Sequence, residues 1–250
     1  MTSIDSDFDI KRASCLPSSD DSRQAKRLEL RSWLITLALL SGICGCQDAW
    51  QTQVAQVRGG ASQRIEISDR LIRDEDLKQL SQLKELQAVI LDDTAITDRG
   101  LALLAELPQL QHLRLRGAVI TDRGARQLAR ITSLKIINLP QADLTDEGLE
   151  AILTLPQLEL LRIGSPRLSD ESLQKIPSAR ELKFLHLIGV PITDRGLQAL
   201  EEATQLQSLY LDESKVTDEG VERLIKRLPR LHLHLDQRHS DRDPNRHAHS

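Results

Sequence analysis

The sequence predicts an α/β fold, a right-handed solenoid with a curved parallel sheet on its concave side and short helices on its convex side. Three observations predict this architecture. The pentapeptide ITDRG occurs at 96–100, 120–124 and 192–196, so its copies are 24 and 72 residues apart, multiples of one period. The first half of each unit alternates apolar with other residues, which is the period of a β-strand. The second half repeats leucine at three-residue spacing, which is the buried stripe of a short helix.

The 24-residue unit extends over most of the chain. Six clear copies begin at residues 86, 110, 134, 158, 182 and 206, an imperfect copy precedes them, and a short stub begins at 231. No single unit can bury its apolar side, so the units must stack on one another. Strands lie about 4.8 Å apart whereas packed helices need about 8–10 Å, and this difference curves the stack with the strands inside. About seven repeats and the stub therefore form one domain, residues 62–235.

The residues of ITDRG have structural roles at the start of a helix. Thr97 lies where an N-cap residue accepts a hydrogen bond from an exposed amide, and Asp98 adds negative charge at the positive end of the helix dipole. Ile96 and Leu101 have the spacing of a hydrophobic staple. Gly100 is expected to allow close backbone approach to the next coil. The glycine recurs as Gly124, Gly148, Gly196 and Gly220, and Ser172 and Asp76 break that pattern. We therefore interpret the pentapeptide as scaffold.

The aspartates of this segment permit a second interpretation, a ladder of metal ligands along the stack. They are Asp98, Asp122, Asp146, Asp170, Asp194 and Asp218. Helix capping explains their spacing without a ligand, so we favour the structural role and expect no metal or cofactor. On this interpretation Asp146→Ala, at an exposed helix start, should cost at most about 1 kcal/mol of stability.

The complete unit, LxxLxLxxxxI followed by TDxGLxxL, resembles a leucine-rich repeat. The variant is similar to the cysteine-containing subtype. The cysteine position of that subtype is occupied here by Thr94, Ala118, Ala142, Pro166, Val190 and Ser214. The resemblance spans about residues 62–235 and implies a solenoid that binds its partner with variable surface residues. Because such repeats share no binding motif, the sequence does not name the ligand.

The N-terminal region has the layout of a secretory signal. Residues 1–25 are polar and predicted to be disordered, and residues 26–46 place basic residues before an apolar run and small residues after it. The run is shorter than the roughly 20 residues that span a bilayer. Its end, Ile-Cys-Gly-Cys, resembles the lipobox of bacterial lipoproteins, which implies lipidation of Cys46. An ordinary cleaved signal and an uncleaved or cytoplasmic chain remain alternatives. The polar extension departs from the usual layout of a signal, so either the true start lies downstream or the region before the apolar run is unusually long.

The segments flanking the repeats have different predicted roles. Residues 47–61 are either a tether or an N-terminal cap whose Trp50, Val54 and Val57 cover the first coil. Residues 236–250 are a polar tail predicted to be disordered, and we favour a solvated tail over weak metal binding by its histidines. All three cysteines precede residue 47, so the body forms no internal disulfide or thiolate metal site.

The candidate binding site lies on the concave face, formed by strand residues that alternate with the inward-pointing ones. The candidates are Arg114, Ile136, Leu160, Arg162, Phe184, His186, Ile188 and Tyr210. Phe184 and Tyr210 fall on adjacent predicted strands, and exposed aromatic, aliphatic and arginine side chains are typical of a protein-binding hot spot. The alternative is that the outer side of these strands tolerates such residues without a binding role.

Composition and motifs narrow the function. The net charge of −4 argues against a nucleic-acid-binding protein, which would carry an excess of positive charge. The sequence contains no nucleophile-elbow, zinc-protease or nucleotide-binding motif, so it offers no signature of an enzyme. The leading hypothesis is a non-catalytic scaffold, displayed at the cell envelope through lipidated Cys46, that binds a protein or peptide. The rival is an intracellular recognition or adaptor subunit without a lipid anchor, although no effector module accompanies the repeats.

Overall fold

The computed structural model describes residues 48–236 and the backbone of residues 238–239. The predicted polar extension, the signal segment with Cys46 and most of the polar tail lie outside the described residues. No helix within the described residues has the length and apolar character needed to cross a membrane.

Strands and helices alternate along the chain. The strands are β1 (Arg64–Ile67), β2 (Ile72–Arg73), β3 (Ala88–Leu91), β4 (Thr94–Ala95), β5 (His112–Leu115), β6 (Ile136–Leu139), β7 (Leu160–Gly164), β8 (Phe184–Ile188), β9 (Ser208–Asp212), β10 (His232–Leu235) and β11 (Arg238–His239). The helices are α1 (Ala49–Arg58), α2 (Asp74–Leu77), α3 (Asp98–Leu104), α4 (Asp122–Leu128), α5 (Asp146–Leu153), the 3-10 helix η1 (Asp170–Ser178), α6 (Asp194–Leu200) and α7 (Asp218–Arg227).

The main sheet has the strand order β1-β3-β5-β6-β7-β8-β9-β10-β11. Neighbouring strands are parallel as far as β10, and β11 pairs with β10 in the antiparallel direction. Pairing joins equivalent residues of successive repeats, so that Ile137 lies opposite Leu161 and Leu161 opposite Leu185. The prediction of a solenoid with a long parallel sheet and short helices is confirmed.

The core is a single apolar column that runs through all the coils. The inward residues of β5 and β6, such as Leu115 and Leu139, are 0% exposed. Leu101 and Leu104, on the inner side of α3, are also 0% exposed. Each repeat therefore adds equivalent layers of leucine and isoleucine from its strand and its helix, as the two sequence periods predict.

The start of the solenoid is covered by α1. Trp50, Val54 and Val57 are buried on the side of α1 that packs on the first coil. The Gln53 side chain donates to the Glu66 carbonyl and accepts from the Glu66 N–H, both at 2.7 Å. This amide satisfies both backbone groups of Glu66 as a neighbouring strand would, and so protects this part of the β1 edge from pairing with another chain.

Thr97, Thr121 and Thr193 cap their helices as predicted, each accepting a hydrogen bond from the backbone N–H two residues ahead at 3.2–3.3 Å. The Thr145 side chain makes no cap bond, and that of Thr217 accepts instead from the N–H three residues ahead, on Gly220, at 3.3 Å.

The aspartates of the repeated segment join one coil to the next. Each carboxylate accepts from the backbone N–H of the next repeat's Thr or Ser at 2.8–3.0 Å and from its hydroxyl at 2.6–2.7 Å. The bridging aspartates are Asp74, Asp98, Asp122, Asp146, Asp170 and Asp194. Both oxygens are thus committed to the scaffold, which supports the structural role over a metal ladder.

The repeated glycine makes room for these aspartates. A Cβ on Gly124 would overlap Asp98 Oδ1, and one on Gly148 would overlap Asp122 Oδ1. Gly100 was expected to allow close backbone approach to the next coil. This expectation was wrong, because the atom nearest to a Cβ on Gly100 belongs to the Asp74 side chain of the preceding coil. In the unit where Ser172 replaces glycine, the helix is the 3-10 helix η1, which also contains Pro177.

Candidate functional site

The concave face presents the strand residues that alternate with the buried ones. In-register pairing arranges these residues in rows that run across the sheet. One row is apolar and consists of Ile136, Leu160 and Phe184 on β6, β7 and β8, each only partly exposed. We call these three residues the apolar row. It forms a continuous strip of carbon surface over three coils.

All eight predicted site residues are partly exposed, and none belongs to the fully buried core. Phe184, His186 and Ile188 lie on β8, and Tyr210 lies on β9 directly opposite His186. Arg162 on β7 is also opposite His186, so these residues form one surface. Arg114 lies two strands away on β5, with Asn138 of β6 between it and Arg162.

A chain of polar contacts crosses three strands within this surface. Arg162 Nε donates to His186 Nδ1 at 3.2 Å. His186 Nε2 lies 2.7 Å from Asp212 Oδ2. Because Nδ1 accepts, the ring hydrogen belongs on Nε2, which then donates to the carboxylate. We refer to Arg162, His186 and Asp212 as the polar relay. It fixes the orientation of the imidazole.

Tyr210 is held between two imidazole rings. Its ring lies 5.2 Å from that of His186 at 34°, and 4.1 Å from that of His234 at 13°, centroid to centroid. Burial raises the pKa of the Tyr210 hydroxyl. The sequence indicated a ring projecting from the sheet, whereas the structure shows a stacked ring with one part open to solvent.

Sequence reasoning missed Asp212 and His234 as members of the site. Asp212 alternates with the buried Leu211 along β9 and follows His186 by one strand, so an acid one strand beyond a histidine was the available signal. His234 lies in the stub after the last clear repeat, where the 24-residue period no longer draws attention to it. Both residues are more than nine-tenths buried and support the exposed residues beside them.

Arg114 belongs to a separate charged pair. Its Nε lies 2.9 Å from Asp92 Oδ1, and the two side chains are 20% and 28% exposed. The neighbouring His112 is held neutral, because burial, and then the charges of Arg64 and Arg114, lower its pKa from 6.5 to about 4. The negative charge of Glu66 acts in the opposite direction and is the smallest of these effects on the His112 pKa.

His186 is also held neutral. Burial lowers its pKa, and the positive charge of Arg162 lowers it further. The hydrogen bond to Asp212 and the charge of that carboxylate act in the opposite direction without cancelling the effect of burial. The polar relay therefore has a neutral imidazole at physiological pH, which agrees with Nδ1 acting as an acceptor.

We expect the His186 imidazole to titrate below the ordinary value of 6.5. Protonation removes the Nδ1 acceptor, so the bond from Arg162 should be lost as the ring titrates. The pKa of His186 is lower in the folded state than in the unfolded state. The neutral imidazole therefore contributes fully to stability at pH values above the unfolded pKa, and this contribution is lost as pH falls towards the folded pKa. NMR titration of the imidazole measures this pKa directly.

Asp212→Asn is the matched variant for that titration. Removing the carboxylate charge should lower the His186 pKa further, because Asp212 raises it. A His186 pKa at or above 6.5, or an increase of this pKa in Asp212→Asn, would contradict the relay.

Comparison with known proteins agrees with this architecture. The family model described as leucine-rich repeat matches residues 107–129 and 130–153. Two solved structures from Listeria monocytogenes are similar: an internalin (InlF), at 23% identity and a TM-score of 0.50, and an internalin C2, at 22% identity and a TM-score of 0.51. The first alignment covers 72% of this chain and 54% of the internalin, and the second covers 78% and 79%. This chain thus spans about half the length of InlF.

Among curated proteins, none matches this sequence. At these identities the likeness to the internalins concerns the fold alone. The repeats, the family match and the solenoid architecture lead to one conclusion: the chain contains leucine-rich repeats and folds as a leucine-rich-repeat solenoid similar to that of the internalins.

Proposed function

We propose that this protein is a non-catalytic scaffold that binds a protein or peptide on its concave face and is held at the bacterial envelope by a lipid on Cys46. The observation that supports the binding role is the apolar row beside Tyr210. Four partly exposed apolar or aromatic side chains on four consecutive strands form a surface that is more favourable when removed from water.

The shape of the surface favours a macromolecular partner. The apolar row spans two strand spacings, about 10 Å, on an open sheet. Small metabolites prefer enclosed pockets, whereas an open sheet suits a peptide or the edge of a folded protein. Tyr210 is already ordered by its two imidazole neighbours, so binding would cost little side-chain entropy there.

Contacts within the polar relay also support a non-catalytic role. A histidine that acts as a general base needs a ring nitrogen directed at its substrate. In His186, Nδ1 accepts from Arg162 and Nε2 contacts Asp212, so both nitrogens are occupied within the protein. The leucine-rich repeat family is typically non-catalytic, in agreement with this arrangement. Assignment of the repeats to the cysteine-containing subtype stays a prediction.

The double variant Phe184→Ala, Tyr210→Ala is expected to fold but to lose its envelope-protein partner in a pulldown. These rings contribute contact surface without belonging to the inward core, so the thermal midpoint should change by only a few degrees. The matched control is Arg99→Ala, Arg123→Ala on exposed positions of α3 and α4, which should capture the partner normally. Unchanged capture by the aromatic variant, or a collapse of its thermal stability, would remove the case for this site.

The envelope location is tested by the mass of the protein. Expressed in a bacterium, the chain should appear in the membrane fraction with residues before Cys46 removed and acyl mass added. An intact, unmodified chain found only in the cytosol would instead favour the rival hypothesis, an intracellular adaptor subunit.

A further inference from the structure

The described part of the chain begins at Asp48, two residues after the predicted lipidation site. Asp48 is the N-cap of α1 and accepts from the Trp50 N–H at 3.1 Å, while its carbonyl accepts from the Thr52 N–H at 3.1 Å. Its other carboxylate oxygen is bound by Arg70, whose guanidinium also contacts Asp76 at 2.7 Å. These contacts fix residue 48 to the first coil of the solenoid.

The covalent distance from this fixed point to Cys46 is short. Only residue 47 lies between them, and two Cα–Cα steps extend at most about 7 Å. The polar headgroup layer on each side of a bilayer is about 5–8 Å thick. A lipid on Cys46 would therefore bring α1 into contact with the headgroups, because the chain has no length for a flexible tether.

The outward side of α1 has a composition suited to that contact. Its exposed residues include Gln51, Ala55, Gln56 and Arg58, and Arg58 is the one ionisable residue of the helix. The chain as a whole has a net charge of −4. A carboxylate-free helix at the anchored end avoids the repulsion that acidic side chains would meet at an anionic lipid surface. The Asp48 charge is offset by Arg70.

We propose that the lipidated protein stands end-on on the membrane, with the exposed side of α1 in contact with anionic phospholipid headgroups. We call this contact of α1 with the headgroups the seat. This inference rests on the proposed lipidation of Cys46. The strand order places five strand spacings between β1 and β8, about 24 Å at the usual spacing. The seat therefore holds Phe184 and Tyr210 well clear of the bilayer, with the concave face open to a partner.

The seat can be tested with single-cysteine labels, because residues 47–250 contain no cysteine and Cys46 is blocked when acylated. A fluorophore is attached at Gln56→Cys on α1 or at Arg227→Cys on α7, both exposed positions. The full chain, processed in a bacterium, is reconstituted into phosphatidylethanolamine–phosphatidylglycerol vesicles that contain a headgroup nitroxide lipid. Quenching should be at least several-fold stronger at position 56 than at position 227.

A spacer variant with ten Gly-Ser residues inserted between residues 47 and 48 is the matched control. It should float with the vesicles as the parent does, but quenching at position 56 should fall towards that at position 227. Flotation with equal quenching at the two positions overturns the seat and leaves the lipid anchor intact. A mass without acyl groups on Cys46 overturns the anchor and the seat together.

Discussion

Leu139→Ala is expected to lower the free energy of unfolding by about 2–5 kcal/mol, because it removes a buried side chain and leaves a cavity. Leu139 is 0% exposed and lies opposite Ile163, its equivalent in the next repeat. In a solenoid each coil contacts only its neighbours, so the cavity weakens the interface between two coils directly. Urea unfolding followed by circular dichroism measures the change.

Gln198→Ala is the control for this measurement. Gln198 is exposed on α6, and its replacement should change stability by no more than about 0.5 kcal/mol. A similar midpoint for the two variants would contradict the assignment of Leu139 to the core.

Gly148→Ala is expected to destabilise the protein by about 1–3 kcal/mol, although alanine is ordinarily the better helix former. The added methyl group would overlap Asp122 Oδ1, the atom that accepts from the Thr145 N–H at 2.8 Å. To make room, the carboxylate must leave Thr145 and give up its hydroxyl bond of 2.7 Å as well. Thermal or urea unfolding of the variant tests the effect.

The cause of that effect is isolated by a double-mutant cycle with Asp122→Ala. Asp122→Ala alone removes the two hydrogen bonds that this carboxylate accepts from Thr145, which should lower the free energy of unfolding by about 2 kcal/mol. In the Asp122→Ala background the obstructing oxygen is absent, so Gly148→Ala should become neutral or stabilising. Additive effects of the two substitutions would show that the glycine is required for another reason.

These contacts revise the expectation for Asp146. It was predicted to lie at an exposed helix start and to contribute at most about 1 kcal/mol. Instead it is partly buried and bonded to the Ser169 N–H at 2.9 Å and to its hydroxyl at 2.6 Å. Asp146→Ala should therefore cost about 1.5–3 kcal/mol, the range for hydrogen bonds to a charged group.

The bridge between Asp194 and Thr217 is sensitive to acid. The Thr217 N–H, followed by its hydroxyl, holds the pKa of Asp194 below its ordinary value. A carboxylate with a depressed pKa stabilises the fold above its unfolded pKa, and this contribution is lost as pH falls through the folded value. The bridge from Asp194 to Thr217 should thus weaken in acid.

The sequence by itself determined the repeat unit, the elements inside it and the rows of buried and partly exposed residues. Those features depend on spacings of two to four residues, such as Leu113 to Leu115 or Thr97 to the following helix. Local geometry decides them in every repeat. The 24-residue period then required stacking, because one unit cannot bury its own apolar side.

Only the tertiary structure decided which polar side chains meet between coils. Three examples join residues of neighbouring coils. The bridge from Asp98 to Thr121 joins residues 23 positions apart, the contact of His186 with Asp212 joins residues 26 apart, and the stack of Tyr210 on His234 joins residues 24 apart. Their formation depends on strand register and side-chain rotamers, which are set when coils pack at about 4.8 Å. A periodic sequence specifies that equivalent residues become neighbours, but the distances between their atoms, and hence their hydrogen bonds, arise from packing.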